Sequence, residues 1–82
     1  DADLYRLTAE GRAALMRLDR DAAAAAFQQT IEAQPDFVDG LVGLGQVAYE
    51  RGEVAEVHRW FTKAVEAAEV GGEGTHDQTG TP

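Results

Sequence analysis

The chain has 82 residues, no cysteine and a formal net charge of −8. That length suits one small domain with a modest core, unsupported by disulfides or cysteine-held metal. The acidic balance argues against a nucleic-acid or anionic-membrane surface, which needs clustered Lys and Arg, and no apolar run approaches the roughly 20 residues that span a bilayer.

The first element is a helix over 4–18. Leu4, Leu7, Gly11, Ala14, Leu15 and Leu18 recur at helical spacing and share one arc, and Asp1 or Asp3 is placed to cap it. "DAAAAAFQQTIEA", 21–33, predicts a second helix: alanine is the best helix former, and Asp21 suits the positive end of the helix dipole. Pro35 ends it, because the residue before a proline avoids the helical region. Asp36 is then placed to cap a third helix over 37–50, Gly52 breaks the chain, and a fourth helix runs over 53–69. No segment alternates with the period of a strand. "GGEGTHDQTGTP", 71–82, has no large apolar residue and reads as a flexible tail.

Sliding the sequence against itself until Leu7 meets Leu41 also aligns Gly11 with Gly45 and Ala14 with Ala48. The same offset pairs Arg17 with Arg51, Phe27 with Phe61, Glu32 with Glu66 and Ala33 with Ala67, and conservatively Leu4 with Val38, Leu15 with Tyr49, Ala23 with Val57 and Ile31 with Val65. Two helix-turn-helix units follow, 4–37 and 38–70, within a domain over 1–70.

This period and these residues resemble the tetratricopeptide repeat (TPR). The second unit supplies Leu41, Leu44-Gly45, Ala48-Tyr49, Phe61 and Ala64; the first supplies Leu7, Gly11, Ala23, Phe27 and Pro35. The chain departs from the family pattern at Glu10, Thr30, Val57 and Glu69. The fold expected is all-α: four antiparallel helices, a TPR-like α-solenoid fragment.

"GLGQVA", 43–48, matches the relaxed dinucleotide fingerprint Gly-x-Gly-x-x-Ala. That motif needs a strand before it and a parallel sheet around it, whereas here it falls inside the third helix. There each glycine costs roughly 1 kcal/mol relative to alanine. Gly11 and Gly45 are expected where the two helices of a unit cross; Gly40 and Gly43 are expected only to loosen the helix start. No cofactor is expected.

Catalytic and metal chemistry find little material. His58 and His76 are the only histidines, and neither has a second ligand at metal spacing. Glu50, Glu53 and Glu56 straddle the turn at Gly52 and read as solvated surface and cap residues. The chain has no serine, and its threonines have no histidine–carboxylate partner set. A non-catalytic, metal-free protein is expected.

The resemblance implies a concave groove lined by the first helix of each unit, taking a peptide or protein partner. Its residues would be Tyr5, Thr8, Arg12, Leu15 and Met16, then Val42, Gln46, Tyr49 and Glu50. The Lys–Asn carboxylate clamp of some family members has no match at Thr8 and Arg12, which disfavours chaperone-tail binding. An alternative is an assembly element. The apolar arc of the fourth helix is wider than one partner helix needs, so Val57, Trp60 and Ala64 form a candidate docking face for another copy or a neighbouring segment; Trp60 folded back as core is the competing expectation. The chain begins at Asp1 rather than Met, which leaves a leader or further repeats open; the cytoplasm is the default compartment.

Overall fold

The computed structural model describes residues 3–71. The stretch expected to be a flexible tail lies outside them except for Gly71, which closes the last helix. The helices are α1 (Leu4–Met16), α2 (Arg20–Ala33), α3 (Val38–Arg51) and α4 (Val54–Gly71), with no strand among the described residues. The fold is all-α. Short connections join helices that pack on one another, so successive helices run antiparallel.

Local chemistry sets the helix ends. The Asp3 carboxylate accepts a hydrogen bond from the Arg6 backbone N–H at 3.0 Å, satisfying one donor that the first turn leaves unpaired. Asp19 does the same for Ala22 at 3.2 Å, with Asp21 in the first turn of α2. Gln34, before Pro35, is extended at φ −146° and ends α2. The cap expected from Asp36 is not formed. Phe37 holds the N-cap position of α3 without a side-chain bond, because its own carbonyl receives the Gly40 and Leu41 N–H groups and leaves Asp36 one position too early.

α1 ends at Met16, short of the expected Leu18. Leu18 turns the chain instead, at φ 64°. Its counterpart in the second helix pair is Gly52, at φ 75°. The two turns close alike: Asp19 N–H donates to Ala14 at 2.8 Å and Glu53 N–H to Ala48 at 2.9 Å, while Leu18 donates to Leu15 at 2.9 Å and Gly52 to Tyr49 at 3.0 Å. Both satisfy carbonyls that a helix C-terminus leaves open. An ion pair between Arg51 and Asp21 ties the second turn to the start of α2.

The helix crossings repeat with the same offset. A Cβ on Gly11 would lie 2.6 Å from the Phe27 ring, and one on Gly45 would lie 2.9 Å from the Phe61 ring. Glycine thus admits an aromatic ring at the α1–α2 and α3–α4 crossings alike. Gly40 and Gly43 do more than loosen a helix start: Gly43 meets the Cγ–Cδ1–Cε1 edge of the Phe27 ring, whose tip meets Gly11, and Gly40 meets Thr30 and Ile31. They are the α2–α3 contact that joins one helix pair to the next. α3 packs against all three other helices, while α2 and α4 stand apart. The core gathers Ala14, Ala23, Phe27, Leu44 and Val47, with Leu15, Ile31 and Trp60 packed against it.

Candidate functional site

α1 and α3 lie side by side and carry the residues expected to line a groove. On α1, Tyr5, Arg12 and Met16 are exposed and Leu15 is half-buried. Arg12 has no ion-pair partner among the described residues. Thr8 is buried, and its hydroxyl donates to the Leu4 carbonyl at 2.7 Å; it offers packing rather than a hydroxyl to a ligand. On α3, Val42, Tyr49 and Glu50 are exposed and Gln46 is half-buried. Tyr5 and Met16 on α1 and Val42 and Tyr49 on α3 are large apolar or aromatic side chains exposed to water.

The residues expected to form one docking face on α4 point three ways. Ala64 is 5 % exposed and inside the fold. Trp60 turns back against the core, with the Arg59 guanidinium 4.5 Å from its ring centre. It also walls a depression of about 470 Å³ between α2 and α4, whose other walls include Ile31, Ala67 and Val70 and whose rim carries Arg59, Lys63, Asp36 and Glu66. Val57 faces outward. It lines a second depression of about 610 Å³ along α4 with Val54, His58, Phe61, Thr62, Val65 and Glu66.

The helical pattern alone does not mark Val54, Phe61 and Val65 as part of that outward face. The signal that does is the internal alignment: each α4 residue there has a counterpart on α2, and α3 covers that side of α2. Phe27 is 1 % exposed, whereas Phe61 is only half-buried. The same step outward separates Ala23 from Val57 and Ile31 from Val65.

Among the described residues no group of three or more His, Cys, Asp and Glu is placed to hold a metal, and no helix is long and apolar enough to cross a membrane. His58 is exposed; His76 lies outside the described residues. Glu50 and Glu53 are exposed, and Glu56 accepts from the Arg59 guanidinium at 2.8 Å. "GLGQVA" lies within α3, with Gly43 and Gly45 each set against a phenylalanine ring. Both glycines are therefore accounted for by packing. Set against known proteins, the chain matches no family model, no curated protein and no solved structure.

Proposed function

We propose that this chain is a non-catalytic, TPR-like interaction module that holds an extended segment of a partner protein against the α1/α3 face. The observation that carries the reading is the exposure of Tyr5, Met16, Val42 and Tyr49 on two adjacent helices. Aromatic and methionine side chains supply large contact area and dominate binding energy where they cluster. Arg12 would add a charge-assisted bond to a carboxylate or carbonyl of the bound segment. The TPR-like reading itself is supported by the glycine–phenylalanine crossings and the turns, which recur at matched positions of the two helix pairs.

The test is a peptide selected from a random library on the whole chain, followed by an NMR titration with that peptide. Tyr5, Arg12, Met16 and Tyr49 are expected to shift together. A selected peptide that moves only Gln28, Arg59 and Lys63, on the opposite side, would overturn the assignment of the face.

A further inference from the structure

We infer that the depression between α2 and α4 is a binding site for a small apolar monocarboxylic acid, its carboxylate held by Arg59 and Lys63 and its apolar body laid on Trp60, Ile31 and Leu41. The site shares no residue with the proposed peptide groove, and the inference does not rest on that groove.

Helix packing makes the hollow. α2 and α4 both pack on α3 but not on each other. The gap between them is lined by the buried Leu41 of α3 and by half-buried Ile31, Trp60 and Ala67. Its volume of about 470 Å³ falls in the range of roughly 300–1,000 Å³ that small-molecule sites occupy. An apolar lining with a few charged groups at the rim is the usual make-up of such a site.

Charge is unevenly placed around it. The chain has 15 acidic and 7 basic side chains, yet Arg59 and Lys63 stand together at this rim, one turn apart and about 6 Å along the axis of α4. Like charges at that spacing destabilise a helix, and an anion between them relieves the repulsion. Arg59 is held in place: its Nε and Nη2 donate to Glu56 Oε1 at 3.2 and 2.8 Å, and its guanidinium carbon lies 4.5 Å from the centre of the Trp60 ring. Lys63 has no ion-pair partner among the described residues, although Glu66 is only three positions on. A carboxylate can therefore take a charge-assisted bond from each, with its apolar body against the indole.

The other end of the depression is acidic. Glu66 follows Arg59 by about 10 Å along α4, and Asp36, just after α2, shares both this depression and the adjoining one with Ala67. A second acid group at the far end of the ligand would face these two carboxylates. Repulsion of that kind sets specificity as much as attraction does. The site accepts a monoacid and refuses a diacid built on the same body.

Trp60 is the only tryptophan of the chain, so its indole N–H gives a single NMR signal from the wall of the site. The test is a titration of the full chain with naphthalene-2-carboxylate, naphthalene-2,6-dicarboxylate and the neutral 2-naphthylmethanol. The monoacid is expected to shift the Trp60 indole and the Lys63 and Ala67 amides along one saturable curve. The diacid and the alcohol are each expected to bind at least about tenfold more weakly. Lys63 and Glu66 are exposed, so both can be changed with the helical circular dichroism intact. Lys63→Glu is expected to weaken the monoacid about tenfold or more, and Glu66→Lys to bring the diacid up to the affinity of the monoacid. No saturable shift of Trp60 up to 20 mM acid, a concentration on the order of the weakest useful affinity, overturns the inference. So does equal binding of acid and alcohol, or a monoacid affinity that Lys63→Glu leaves unchanged. A wild type that binds the diacid as well as the monoacid removes the role assigned to Glu66 and Asp36 and with it the monoacid class.

Discussion

Gly43 lies against the ring of Phe27 across the junction of the two helix pairs, so closely that no Cβ fits between them. Gly11 meets the same ring from within the first pair. Phe27 is therefore enclosed between two glycines on different helices, and it fixes how the pairs stack. Three helices meet at this one side chain, which with Thr30 is the largest fully buried one among the described residues.

This enclosure separates two substitutions that a helix propensity scale treats alike. Alanine for glycine inside a helix gains roughly 1 kcal/mol, while overpacking a closed core costs about 1–3 kcal/mol. Phe27 is almost fully buried, so its ring has little room to move and the overpacking cost falls toward the upper end of that range; Gly43→Ala is expected to lower stability by up to about 2 kcal/mol, the difference of those effects. At Gly45 the facing Phe61 is half-buried and the contact is looser, so Gly45→Ala is expected to be near neutral. Gly45→Leu exceeds what the crossing can yield and should cost about 1–3 kcal/mol. Urea denaturation of the three variants measures this directly; equal effects of alanine at the two positions would contradict the enclosure.

The turns offer the opposite experiment. Leu18 and Gly52 hold the same left-handed conformation at equivalent places. A non-glycine residue there costs roughly 1–2 kcal/mol, partly offset by the larger entropy that glycine loses on folding. Leu18 is also mostly exposed, so its side chain contributes little packing. Leu18→Gly is expected to stabilise the fold by about 0.5–1 kcal/mol. Gly52→Ala, which meets no atom within 4 Å, should destabilise it by about 1 kcal/mol through backbone strain alone. Melting temperatures moving in the other direction would show that the turns are not equivalent.

The helices are legible in the sequence because they rest on local signals. Periodicity places all four, Pro35 and Gly52 mark two breaks, and the internal alignment locates Gly11 and Gly45 at their crossings. The first turn is hidden because leucine is a poor sign of a left-handed residue, so Leu18 reads as one more helical position. Gly40 and Gly43 are underestimated for a different reason: their partners, Thr30 and Phe27, belong to the preceding helix pair, and a single helix wheel does not show which neighbour a face will meet. The same limit merges Val57, Trp60 and Ala64 into one face. On a wheel they share an arc; in the fold, Ala64 is enclosed, the core takes Trp60 and only Val57 is left to the outer strip.

Exposure makes the groove residues separable from stability. Tyr5 is 90 % and Met16 86 % exposed, so truncating either should leave the melting transition in place. Tyr5→Ala and Met16→Ala are each expected to weaken a selected peptide by about 1 kcal/mol or more, read by isothermal titration. Loss of binding accompanied by unfolding would place these side chains in the fold's own support rather than in recognition.

The last pair of substitutions distinguishes core from surface on one helix. Trp60 packs against the cluster of Ala14, Ala23, Phe27, Leu44 and Val47, and carries the Arg59 guanidinium over its ring. A carboxylate at that position would lose the aromatic contact area and desolvate a charge beside apolar groups. Complete removal of a buried tryptophan costs about 3–5 kcal/mol. Trp60 is half-buried, so Trp60→Glu is expected to cost about 2–3 kcal/mol. In a domain whose total stability is of the order of 5–15 kcal/mol, that is a large loss, visible as a lower urea midpoint at every protein concentration. Val65→Glu, further along the helix and exposed, should leave the stability of the isolated chain within about 0.5 kcal/mol. The two variants should differ by at least about 1.5 kcal/mol. If Trp60→Glu proves as harmless as Val65→Glu, Trp60 faces outward in solution, and the α2–α4 depression that it walls is not closed at that end.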